Sequence, residues 1–198
     1  MDGLLNKYSF NTVKKTLLIL LTFFSLFQVQ AQYYTEEIDI SIGLGMSVPY
    51  DEVGYFGLGF YAQGEYVRNI NEWIDVKPYA GYILAKMEGD LSGSNEPGDR
   101  STANAFLFGG KGRFRIPNDY VAPYAEIGLG GSIGSFEVVT SDTNINKSGV
   151  FMHIPFSLGL ELGPRHKVNV ELTSYFHPSV KQYLGAIAVG LRIPIGYY

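Results

Sequence analysis

Residues 152–162 read Met-His-Ile-Pro-Phe-Ser-Leu-Gly-Leu-Glu-Leu. Every even position is bulky and apolar: Met152, Ile154, Phe156, Leu158, Leu160 and Leu162. The odd positions hold His153, Pro155, Ser157, Gly159 and Glu161. Successive side chains of a strand point to opposite faces, whereas a helix would spread such a pattern around its whole circumference. The segment is therefore a strand with one greasy face and one polar or small face.

The same period continues in both directions. Downstream, Val168, Val170 and Leu172 alternate with Asn169, Glu171, Thr173 and Tyr175. The last run sets Tyr183, Ile187, Val189, Leu191, Ile193 and Ile195 against Ala186, Ala188, Gly190 and Arg192. Upstream, Val121, Ala125, Ile127 and Leu129 oppose Tyr124, Glu126, Gly128 and Gly130. Before these, Phe106, Phe108, Phe114 and Ile116 oppose Gly109, Lys111, Arg113 and Arg115. Three earlier runs follow the rule: Val76 to Leu84 against Lys77, Tyr79 and Gly81; Phe56 to Ala62 against Gly57, Gly59, Tyr61, Gln63 and Glu65; Ile38 to Met46 against Asp39, Ser41, Gly43 and Gly45. These are eight strands, each near the roughly 9–11 residues that a tilted membrane strand needs.

The connections alternate in length. Short polar turns are predicted at 69–72, 117–119 and 163–167, and long loops at 87–102 and 131–148. Shorter links fall at 47–54 and 178–181. Short turns on one side and longer loops on the other match an outer-membrane barrel with a periplasmic N-terminus. Pro155 and Pro194 lie inside strands, so each predicts a bulge or a lost ladder bond.

Alternation alone does not say which face is inside. An eight-stranded barrel has an interior just wide enough for side chains to fill, and the Ile, Leu, Phe, Val and Met set would overfill it. The opposite face, rich in Gly, Ala and Ser with a few large polar groups, suits a narrow lumen. The apolar face therefore points outward, to lipid. Tyr66, Trp73, Tyr120 and Tyr197 are expected on the periplasmic rim and Tyr50, Tyr55 and Tyr183 near the outer one, where amphipathic rings favour the lipid interface.

The N-terminus reads as an export signal. Lys14 and Lys15 precede the apolar run 16–27, and Val29-Gln30-Ala31 supplies the small residues that signal peptidase reads. Cleavage between Ala31 and Gln32 divides the chain into a signal, 1–31, and one domain, 32–198. The apolar run is shorter than the roughly 20 residues of a spanning helix. The chain has no cysteine, a net charge of −4, and 24 glycines, 15 tyrosines and 13 phenylalanines. Disulfide and thiol chemistry are thereby excluded, and no basic stripe exists for nucleic acid.

With its exported eight-run pattern, its Pro-Tyr-Ala strand starts at 78–80 and 123–125 and its aromatic end, residues 190–198, the chain resembles the small outer-membrane β-barrel domain family of Gram-negative bacteria (OmpX, OmpA-barrel and PorT-like). The resemblance implies an all-β, eight-stranded antiparallel up-and-down transmembrane barrel surrounded by outer-membrane lipid. It also implies that the barrel-assembly machinery reads the C-terminal strand, normally through a terminal aromatic in phase with the apolar face. Here Tyr197 is in phase and Tyr198 lies one residue beyond.

The inward-facing Glu65, Lys77, Lys111, Arg113, Glu126, Glu161, Glu171 and Arg192 carry both signs. Unpaired charges in a narrow interior are costly, so these groups are expected to pair across the lumen and close it rather than line a solute path. His177-Pro178-Ser179 has a His-x-Ser spacing that would share one strand face, and vaguely resembles that of outer-membrane lipid A deacylases. His153, Ser157 and Glu161 share a face but sit roughly 13 Å apart at each four-residue step. Three histidines without paired ligand spacing give no transition-metal signature, and no cofactor is implied. Glu88, Asp90, Glu96 and Asp99 make one loop acidic, and Asp142, Asn144 and Asn146 make the next polar. The expected role is an envelope structural or surface-interaction protein acting through its loops. Alternatives are a small passive channel, a soluble exported barrel with an apolar ligand inside, and a lipid hydrolase.

Overall fold

A computed structural model describes residues 35–49, 57–86, 100–139, 144–180 and 182–197. The signal and its cleavage pair Ala31–Gln32 lie outside them, as do Tyr50, Tyr55, Tyr198, Asp142 and the acidic loop residues Glu88 to Asp99. Among the described residues there is no helix. The strands are β1 (Thr35–Pro49), β2 (Gly57–Asn69), β3 (Ile74–Lys86), β4 (Arg100–Arg115), β5 (Val121–Val139), β6 (Asn144–Leu162), β7 (Val168–His177) and β8 (Gln182–Tyr197). Each pairs antiparallel with the next, and β8 pairs with β1 to close the barrel.

The outer wall is apolar as expected. Ile42, Leu129 and Met152 are 60%, 64% and 69% exposed, while Tyr61, Leu107 and Phe136 on the inner face are fully buried. Trp73 and Tyr120 are exposed in the periplasmic turns and Tyr183 at the other end, each on its expected rim. The periplasmic turns are short because side chains replace missing ladder partners. Asn71 Oδ1 accepts from the backbone N–H of Trp73 and of Ile74, both at 2.8 Å, the local bond that makes Asn a turn former.

Both prolines disturb the ladder. At Pro194 the β1–β8 register shifts, with Glu37 opposite Pro194 but Glu36 opposite Gly196. At Pro155 the β5–β6 ladder passes from Ile127↔Phe156 to Gly130↔His153 without intervening partners, and the register is kept. One expectation fails: the long loop at 131–148 is mostly strand. β5 runs on to Val139 and β6 begins at Asn144, paired from Ile133↔Val150 to Val139↔Asn144. Ser135, Asn146 and Ser148 belong to strands that have left the apolar belt, where the outward face needs no grease, while Phe136 on the inward face is still buried. Asn144 and Asn146 are accordingly strand residues.

Candidate functional site

The lumen has two layers. On the periplasmic side all eight charged residues anticipated from the sequence are buried, and they form one ion-pair network. Glu126 sits at its middle, accepting from Lys77 Nζ at 2.8 Å, Lys111 Nζ at 3.1 Å and Arg113 Nε at 2.6 Å. Lys77 and Lys111 both also meet Glu65, the latter at 2.7 Å. Arg113 pairs with Glu161, which accepts from Arg192 Nη2 at 2.6 Å and Arg115 Nη1 at 3.1 Å. Glu171 is tied to hydroxyls instead, Tyr124 at 3.2 Å and Thr173 at 2.5 Å, with Lys111 at 3.9 Å.

Among the described residues, five further members were on the inward phase but not singled out: Glu37, paired with Arg192 at 3.5 Å, and Asp39, Asp75, Arg115 and Asn169. Asn169 Nδ2 donates to Asp39 at 2.6 Å, and Asp75 faces Arg115 at 3.8 Å. Carboxylate oxygens of Glu65, Glu126 and Glu171 lie within 4.8 Å of one another, a spacing that could hold a cation. Lys111 already places its ammonium among them, so the protein supplies that charge itself. Glycine makes room for this crowd. A side chain at Gly159 would strike the Tyr124 ring, against which Arg113 stacks at 3.9 Å.

On the extracellular side the filling changes to Tyr61, Tyr79, Ile83, Leu107, Phe136, Tyr175 and Leu184, packed around His153, His177 and Ser132. His177 Nδ1 lies 3.1 Å from the Tyr175 carbonyl, which can only accept. With both imidazoles neutral, one order of protons satisfies the rest. Ser132 donates to His177 Nε2 at 2.7 Å, His153 Nδ1 donates to Ser132 at 2.6 Å, and Tyr79 donates to His153 Nε2 at 2.5 Å. A second relay joins the layers: Tyr61 donates to Tyr175 at 2.9 Å, Tyr175 to Gln63 at 2.6 Å, and Gln63 to Glu65 at 2.7 Å.

The proposed His-x-Ser pair is not assembled. β7 ends at His177, so Ser179 lies in the following turn, exposed, and offers its backbone oxygen to Lys147 at 2.8 Å. His177 turns into the lumen and meets Ser132 instead. His153, Ser157 and Glu161 take separate partners: Ser132, Thr173 and the arginines.

Toward the extracellular side β4, β5 and β6 continue as a ribbon, flanked by β3 as far as Lys86↔Thr102. Its outward rows mark where it leaves the bilayer. Phe106–Ile133–Val150 is the top apolar row; Asn104–Ser135–Ser148 and Thr102–Glu137–Asn146 follow. β7 pairs with β6 only from Ile154↔Phe176 downward. Among the described residues, 144–153 therefore have a strand on one side only.

No protein-family model matches the chain, and no curated protein matches it. Among solved structures, Neisserial surface protein A is similar, with a TM-score of 0.56 at 11% identity over 81% of this chain and 97% of that one. The N-terminal barrel of OprF from Pseudomonas aeruginosa scores 0.48 at 10% identity (82% and 100% covered). Ail, the attachment invasion locus protein of Yersinia pestis, crystallised with the heparin analogue sucrose octasulfate, scores 0.46 at 20% identity (80% and 99%). The fold is that of the small outer-membrane barrels: eight antiparallel strands, grease outside, polar groups within.

Proposed function

We propose that this chain is an exported, non-enzymatic integral outer-membrane protein whose closed barrel is a scaffold for interactions at the cell surface. The switch of the β4–β5–β6 outward rows from Phe and Ile to Asn, Ser and Glu carries this reading. Such strands cross the hydrocarbon and then stand in water, and among the described residues the upper part of β6 has a strand on one side only, an edge suited to an incoming chain. Residues 1–31 are the export signal, removed between Ala31 and Gln32, and the barrel-assembly machinery reads β8. A channel is disfavoured because ion pairs and aromatic rings fill both layers of the lumen. Hydrolysis is disfavoured because Ser132, the serine beside the histidines, is fully buried.

Charge scanning of β5 in lipid vesicles tests the placement. Ile127→Lys, in the apolar belt, should destabilise the barrel by about 2–4 kcal/mol, and Ser135→Lys, above it, by about 0–1 kcal/mol. Equal, small effects at both positions would indicate a soluble barrel. The folded protein from an outer-membrane fraction should also shift on a denaturing gel when boiled and show no conductance steps in planar bilayers. His177→Ala and Ser179→Ala should leave the cell's lipid profile unchanged.

A further inference from the structure

Among the hollows in the lipid-facing wall of the described residues, one is framed by a single outward row. At the level of the extracellular leaflet, near the start of β8 at Gln182, the outward row reads Phe156, Ser174, Gly185, Met46 across β6, β7, β8 and β1. The two smallest members are direct neighbours. Phe156 and Met46 therefore stand as side walls above a low floor, and the hollow measures about 240 Å³. Tyr183 and Val48, paired in the row above, close its extracellular end, and Phe176 flanks Tyr183 with ring centroids 5.6 Å apart. Among the described residues nothing crowds the floor: a Cβ at Gly185 would find its nearest neighbour, Met46 Cε, at 3.4 Å.

The geometry points to a seat for one acyl chain of an extracellular-leaflet lipid. The hollow is continuous with the apolar belt, so hydrocarbon is what surrounds it. Inside a bilayer no hydrophobic gain favours one greasy contact over another; packing decides. A concave site gives a chain carbon neighbours on three sides where a flat wall gives one, and these dispersion contacts add up. Ser174 also places a hydroxyl in the floor, and a hydroxyl facing hydrocarbon gains from an acceptor. An ester or hydroxyl oxygen of the lipid supplies one, and an all-carbon side chain of another protein does not.

The seat rests on membrane insertion, and the experiment separates the two. The full barrel is placed in phosphatidylcholine vesicles containing a trace of the same lipid with a photoactivatable diazirine on one acyl chain. After irradiation, labelled positions are mapped. Label on Met46, Phe156 and Tyr183 should exceed that on Phe106, Ile127 and Leu129 by about threefold, the ratio that a handful of lost carbon–carbon contacts produces. Gly185→Leu fills the floor and should abolish the excess while leaving the gel shift on boiling intact. Even labelling around the belt, or an excess that survives Gly185→Leu, overturns the seat but not insertion. Crosslinks from this row to a second barrel make it a protein contact and also overturn it. No label anywhere on the belt overturns insertion and the seat together.

Discussion

The periplasmic and extracellular halves of the lumen occupy the same tube, yet they are filled by different physics. Below, Glu126 is surrounded by Lys77, Lys111 and Arg113, and every one of those cations meets a second carboxylate. Above, Tyr61, Leu107, Phe136 and Leu184 pack as a small core, and the polar atoms among them form neutral relays. The lower half is held by charges that were expensive to bury and are tolerable only together. The upper half is held by shape, and the hydroxyls and imidazoles around Ser132 satisfy one another. The lower half should therefore fail as a unit when one member is removed, and the upper half by increments.

The sharpest test of that contrast is Glu126→Ala, which leaves three buried cations short of their shared acceptor. It should cost about 3–5 kcal/mol, read as a fall in the urea midpoint of the folded band in vesicles. A loss below about 1 kcal/mol would mean water enters the lower half and screens it. In the upper half, Leu107→Ala should cost about 3 kcal/mol through the cavity it leaves. Its effect should add to that of Glu126→Ala if the layers are independent; strong coupling would erase the distinction. Smallest of all, Tyr61→Phe removes one hydroxyl but leaves Tyr175 donating to Gln63. It should cost about 1 kcal/mol and leave the lower half's unfolding profile unaltered.

The two halves also differ in how far the sequence discloses them. Charged residues on the small-residue phase of eight strands have few places to go, so Glu65, Lys77, Lys111, Arg113, Glu126, Glu161, Glu171 and Arg192 could be placed inward from parity alone. Asp39, Asn169 and Arg115 carried the same signal. The Ser132 relay could not be read this way. Its members come from β3, β5, β6 and β7, linked across 74, 21 and 45 positions, and only the stagger of the strands puts them at one height. His177 misled for a local reason: a strand that ends at His177 cannot hold Ser179 on its face. The ribbon was hidden by composition. Glycines, serines and asparagines are the usual material of loops, but a hairpin whose outward face has left the membrane needs no grease on that face.

Ser132 and its neighbours have one more property. Hydrogen bonds among hydroxyls and neutral imidazoles can usually run in either direction, because each such group can give or take a proton. Here the line starting at Tyr79 ends on a main-chain oxygen, which can only take. That terminal atom sets the direction of every link before it, and so selects which nitrogen of His177 and of His153 carries hydrogen. A backbone carbonyl on β7 thus acts as a diode for a row of side chains spanning half the barrel's circumference.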